Sequence, residues 1–158
     1  MNFIIVHGVY ASPEANWFPW LKKELESRGY EAIVPKFPTP LDQSLESWLR
    51  VFSSYESKVN EETVLIGHSL GASFILNYLE KTSKKIKAAY LVAPFHKLLG
   101  VEYDEINKTF VGREFEWEKI KANCGKFFVF ASDNDNYILP EVTNDIVEKL
   151  NAEFNIVP

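Results

Sequence analysis

The chain contains one cysteine, Cys124, and one methionine, Met1. A single thiol excludes an internal disulfide and a cysteine-rich metal site, and it points to a reducing compartment. No apolar run approaches the length of a membrane span. The opening Met1-Asn2-Phe3-Ile4-Ile5-Val6-His7-Gly8 has no basic leader, and its apolar stretch is too short for a signal peptide. Charge of one sign is scarce as well: 17 Lys+Arg against 22 Asp+Glu give a net −5, without long runs of either sign. That balance argues against nucleic acid or an anionic membrane surface as partner. Neither Gly-x-Gly-x-x-Gly nor Gly-Lys-Ser/Thr occurs, which excludes the common nucleotide-binding loops. Histidine is rare; His7, His68 and His96 are the only three, and none follows His96.

What is present is ordinary globular composition, 46% hydrophobic and 25% charged over 158 residues. This length fits one domain, residues 1–158, burying about two-thirds of the surface its unfolded chain exposes. The composition indicates a cytoplasmic globular protein. Short continuous apolar runs alternate with helical patterns. Phe3 to Val6, Ala32 to Val34, Thr63 to Ile66, Ala88 to Ala93, Phe127 to Ala131 and Phe154 to Val157 read as strands. Helices are expected with Trp17, Trp20, Leu21 and Leu25 at helical spacing, from Ser44 with Leu45, Trp48, Leu49 and Phe52, then over Ala72 to Lys81, Trp117 to Cys124 and Glu141 to Leu150. Phe95 to Arg113 shows no clean period and reads as an insertion or lid. The alternation predicts an α/β fold, a three-layer sandwich with a mostly parallel sheet of about six strands and helices on both faces.

Gly67-His68-Ser69-Leu70-Gly71 stands directly between an apolar strand and a helical pattern. In that context Gly-x-Ser-x-Gly forms a nucleophile elbow: the glycines remove Cβ atoms that would clash in the sharp turn, and the serine hydroxyl projects above the sheet edge. In a parallel sheet the ligand site lies beyond the carboxyl ends of the strands. The informative segments are therefore His7-Gly8-Val9-Tyr10, Ser69, Phe95-His96 and Asp133-Asn134-Asp135.

Each histidine has an expected place. His68, adjacent to the serine, points away from the hydroxyl and packs beneath the turn. His7 braces its loop by hydrogen bonds. His96 belongs to a surface or lid, since a base at that position would break the chain order Ser, acid, His. Cys124 ends a helical pattern and reads as core.

Val6-His7-Gly8, Trp17-Phe18-Pro19-Trp20-Leu21, the serine pentapeptide, Trp117 to Cys124 and Ser132 through Pro140 together resemble the retinoblastoma-binding protein 9–like family of small serine hydrolases. The resemblance spans nearly the whole chain in register. It implies an α/β-hydrolase with a Ser-Asp-His triad acting on ester-type substrates, without metal or organic cofactor. It implies Ser69 as nucleophile, main-chain N–H groups of Val9 and Leu70 as oxyanion donors, and Asp135 as acid, with Asp133 the rival nearer the strand end.

The family's histidine follows the last strand, and these 158 residues contain none there. A chain lacking its C-terminal histidine loop and last helix, an incomplete representation, or a catalytically inactive binding or scaffold protein would each account for this. The first would leave an apolar sheet face uncovered. Tyr10, Trp17 and Trp20 are expected to wall an apolar, partly aromatic pocket for small to medium acyl esters.

Overall fold

Short strands rich in Val, Ile, Leu and Phe, buried on both faces, cannot alternate polar and apolar positions and pair in parallel through helical crossovers. The computed structural model, which describes residues 1–157, realises this architecture. Six parallel strands lie in the order β2-β1-β3-β4-β5-β6: β1 (Asn2–Val6), β2 (Glu31–Ile33), β3 (Thr63–His68), β4 (Ala88–Val92), β5 (Phe127–Ser132) and β6 (Glu153–Val157). The register sets Val6 against Gly67 and His68 against Val92, so the ends of β1, β3 and β4 emerge together.

The helices are α1 (Phe18–Ser27), α2 (Leu45–Ser53), α3 (Leu70–Lys81), α4 (Asp104–Val111), α5 (Trp117–Ala122) and α6 (Pro140–Leu150). Ser44 caps α2 reciprocally with Ser47, satisfying two end amides that the first turn leaves unbonded. The larger core lies on one sheet face, where Trp48, Phe52, Phe74, Leu79, Phe110 and Ile146 are buried. α1 packs on the other face, where its Phe18 is buried against Ile5, Val64 and Ile66. The expected layering on both faces is therefore present, with unequal cover.

Beyond α1 that second face carries an apolar groove of about 450 Å³, walled by Trp17, Trp20, Tyr90 and Phe130. Tyr90 and Phe128 stack there at 4.4 Å. Trp17 and Trp20 thus face away from the serine, contrary to their expected place beside it. Phe18, not Trp20, is the buried anchor of α1, and Trp20 is 64% exposed.

Within the stretch read as aperiodic, Asp104–Val111 is helix α4. Its buried positions are Asn107, Phe110 and Val111, at i, i+3 and i+4. A polar residue at the first of them hides the helical period. Cys124 is buried beyond α5, as expected, and its Sγ contacts the Lys126 carbonyl at 3.2 Å. Among the described residues, no helix is long and apolar enough to cross a membrane.

Candidate active site

Ser69 joins β3 to α3 with φ 54° and ψ −120°, a conformation that an L-residue holds only under constraint. The constraint comes from both sides. The Ser69 N–H is bonded to the Val92 carbonyl at 2.9 Å, while the Ser69 carbonyl accepts from Ala72 N–H at 2.9 Å in the first turn of α3. The flanking glycines are required by close approach. A Cβ on Gly67 would lie 2.6 Å from the Gly71 carbonyl oxygen, and one on Gly71 would lie 2.7 Å from that of His7 and collide with that of Val6. Leu70, buried, is the first residue of α3, so its N–H is among the four that a helix leaves without an internal partner.

A cleft of about 360 Å³ opens above the elbow. Val9, Ser69 and Asp135 line it together, and Phe95, Leu99, Val101 and Ile138 make its wall largely apolar. Three non-glycine residues on this lining have positive φ: Tyr10 at 56°, Ser69 at 54° and Ala93 at 49°. Strained backbone of this kind, costing of order 1–3 kcal/mol per residue, gathers at functional sites.

Asp135 is fixed by its own loop: Oδ1 accepts from the N–H groups of Tyr137 at 2.8 Å and Ile138 at 3.0 Å. Oδ2 is left for a further donor. Asp133 is exposed and absent from this cleft; it lines a separate hollow behind the loop. Geometry thus brings Asp135, and not Asp133, to the serine.

His7 is fully buried, and both ring nitrogens are committed: Nδ1–H donates to the Gly8 carbonyl at 2.8 Å, and Nε2 accepts from Phe37 N–H at 3.0 Å. The ring therefore pins the loop that carries Val9, the bracing expected of it, and burial lowers its pKa. His68 packs edge-on to Trp17 at 6.0 Å and Phe18 at 6.1 Å. It also borders the cleft beside Asp135, a placement that adjacency to Ser69 alone did not reveal. Burial lowers its pKa, and the Asp135 charge partly opposes this.

His96 departs from expectation. It is no lid residue: Nε2 meets Asp145 Oδ2 at 2.7 Å with the side chain only 11% exposed, tying the segment after β4 to α6 and lying outside the cleft.

Sequence reasoning did not find Tyr103, Tyr137 and Asn107, which also line the cleft. Tyr10 and Tyr103 meet edge to face at 5.6 Å, and Tyr137 lies 6.4 Å from Tyr103, forming an aromatic rim. Aromatic residues outside a recognised loop leave no periodic signal. The Asn-x-x-Phe-Val spacing of α4 was the one available hint of Asn107.

The sequence pattern of the serine hydrolases matches residues 3–158. The chain belongs to the serine hydrolase family. This serine hydrolase is 34% identical over 150 residues to YdeN of Bacillus subtilis (strain 168), which is named as a hydrolase; the match covers 94% of this chain and 78% of YdeN. It is 31% identical over 138 residues to the serine hydrolase RBBP9 of Rattus norvegicus, covering 87% of this chain and 72% of the relative. The crystal structure of the B. subtilis ydeN gene product superposes with a TM-score of 0.93 at 32% identity, covering 99% of this chain and 84% of that one. Resemblance to the retinoblastoma-binding protein 9–like proteins and the α/β-hydrolase architecture both hold.

Proposed function

We propose that this serine hydrolase cleaves small to medium acyl esters, with Ser69 as nucleophile, Asp135 as the acid of a Ser-Asp-His triad, and a histidine that is not among residues 1–158. The observation that supports this reading is the placement of Ser69, on a strained elbow, in one apolar-walled cleft with Asp135. Ser69 Oγ attacks the acyl carbon as its proton passes to the histidine. The Val9 and Leu70 N–H groups hold the oxyanion, the alkoxide leaves with that proton, and water then hydrolyses the acyl-enzyme by the reverse proton route. His7 has no free nitrogen for this role and His96 is turned to Asp145. A hollow of about 320 Å³ bordered by His68, Ala93, Ser132 and Asp135 leaves room beside the acid for an imidazole. The chemistry calls for no metal or organic cofactor, and the partner is a small-molecule ester.

That no histidine of residues 1–157 bonds Asp135 also favours a second reading, an inactive relative that binds ligand without turnover. A fluorophosphonate probe and p-nitrophenyl acetate, butyrate and octanoate separate the two. In a form that carries the triad histidine, the hydrolase reading expects labelling and turnover that Ser69→Ala abolishes and Asp135→Asn strongly lowers. Labelling that survives Ser69→Ala would overturn the nucleophile, and ligand binding without labelling would favour the second reading.

A further inference from the structure

A directional chain of hydrogen bonds runs from the Val9–Tyr10 loop to helix α4. Tyr10 N–H can only donate, and it gives its proton to Thr39 Oγ1 at 2.8 Å. The Thr39 hydroxyl then donates to Gln43 Oε1 at 2.6 Å. The Gln43 amide donates from Nε2 to the Ile106 carbonyl at 3.1 Å and to Asn107 Oδ1 at 2.9 Å. The direction is fixed from the far end: the Ile106 carbonyl can only accept, so it meets the Gln43 NH₂, which leaves Oε1 toward the Thr39 hydroxyl and requires an acceptor from Asn107. The orientation of the Asn107 amide follows without choice: its oxygen faces Gln43 and its NH₂ does not.

Asn107 is 3% exposed and lines the cleft that holds Ser69 and Asp135. Among the described residues its Nδ2 has no hydrogen-bond partner, yet it is not one of the enclosed orphan atoms, which are His68 Nδ1, His96 Nδ1 and Trp117 Nε1. It therefore keeps access to the cleft. The helix that carries it is held in place, since Asn77 Nδ2 donates to both Ser73 O and Phe110 O at 2.8 Å. Around this donor the wall is apolar, with Phe95, Leu99, Val101 and Ile138. A buried amide held in one orientation, set among apolar residues of a cleft whose other polar groups are Ser69, His68, Asp135 and the tyrosine rim, is how a binding site selects one polar atom on an apolar ligand.

We propose that Asn107 Nδ2 is a specificity donor, and that the preferred ligands are apolar acyl esters bearing one hydrogen-bond acceptor, such as a ketone oxygen, on the chain away from the ester itself. This rests on reading the cleft as the ester site. Thr39 and Gln43 act as positioning groups through Asn107, and the relay begins at the main-chain N–H of Tyr10, whose side chain is on the cleft rim. An ester lacking the acceptor leaves the donor dry and unpaired, which lowers its affinity.

The test uses the Ser69→Ala protein, so that binding is read without turnover. Methyl 4-, 5- and 6-oxoheptanoate are titrated against methyl heptanoate as acceptor-free reference, with ¹H–¹⁵N spectra resolving the Asn107 side-chain NH₂. The expectation is that at least one oxo ester binds about ten-fold more tightly than the reference and shifts the Asn107 NH₂ signals downfield. Asn107→Asp keeps the acceptor that Gln43 needs while removing the donor, and Asn107→Leu removes both. Each should abolish the ten-fold advantage of the oxo ester over methyl heptanoate, both esters being titrated on the same variant. Equal binding of all four esters, no binding of any, or an advantage that survives both variants would overturn the proposal. Failure of the fluorophosphonate test on the Ser69 protein would instead overturn the hydrolase reading and leave this binding result standing.

Discussion

Gly8 faces Ser69 so closely that a Cβ on the glycine would come within 3.1 Å of the serine Cβ and of the His68 carbonyl oxygen. The loop after β1 and the elbow after β3 therefore meet with no room for one further methyl group. Gly71 is tighter still, since a Cβ there would strike the Val6 carbonyl. The two sites predict different outcomes. Gly8→Ala asks its neighbours to yield by a few tenths of an ångström, so the protein should fold and the serine should label more slowly. Gly71→Ala asks backbone to move against backbone and should cost about 4 kcal/mol or more. Urea denaturation and fluorophosphonate labelling of both variants check this; a Gly71→Ala protein of native stability would contradict the packing described.

Ser69 holds a strained backbone conformation that glycine would relax. At φ 54° a side chain is disfavoured, whereas glycine reaches that region freely. Ser69→Gly should raise stability by about 1 kcal/mol while removing the proposed nucleophile; part of the relief is offset because glycine loses more freedom on folding. Ser69→Ala retains the strain and should melt near the wild-type temperature. Thermal melts of the three proteins side by side test the ordering, and a Ser69→Gly protein less stable than Ser69→Ala would refute it.

The strands and the elbow could be read from the sequence because both rest on local rules. Continuous apolar runs mark buried parallel strands, and Gly67 and Gly71 around Ser69 mark a turn in which Cβ atoms do not fit. Asp135 was legible only as one of two acids in its loop; that it lines the cleft with Ser69 while Asp133 does not depends on the turn it makes with Tyr137 and Ile138. The cleft wall was not legible. Trp17 and Trp20 follow the His7-Gly8 loop in sequence, yet helix α1 carries them to the opposite sheet face. Asn107 breaks the apolar period of the helix it sits on, so its burial depends on Gln43, a partner 64 residues away. His96 read as a surface or lid residue because its partner Asp145 lies far along the chain, in α6. Long-range pairing of polar groups leaves no period to detect.

Cys124 provides a reporter of opening. Burial pushes its thiol up to about 12, and only 9% of the residue is exposed. At pH 8 the folded protein should react with a disulfide reagent such as DTNB only through transient unfolding, whereas the urea-unfolded chain should react within the mixing time. The native rate should fall further when a ligand occupies the cleft, because binding to the folded state alone opposes opening. Immediate stoichiometric reaction of the native protein would contradict the burial.

Acid should weaken the fold in the range where histidine titrates. His7, His68 and His96 all have pKa values lowered from the ordinary 6.5, in each case chiefly because burial disfavours the charged ring. Opposing contributions come from the Gly8 carbonyl and Glu14 at His7, from Asp135 at His68 and from Asp145 at His96, and they do not reverse the direction. A histidine that resists protonation when folded leaves the unfolded chain with more bound protons just below pH 6.5, so stability rises with pH there. The stabilisation is complete above the unfolded value and is lost as pH falls through 6.5 toward the lowered folded values. His7 adds a structural reason, since a proton on Nε2 would place a donor against the Phe37 N–H. Urea denaturation at pH 8, 7, 6 and 5 should show stability level between 8 and 7 and falling below. His7→Gln should be less stable at pH 8 and show a shallower fall between pH 7 and 5, because one of the three titrating rings is gone. Stability that stays flat or increases from pH 7 to 5 would refute this account.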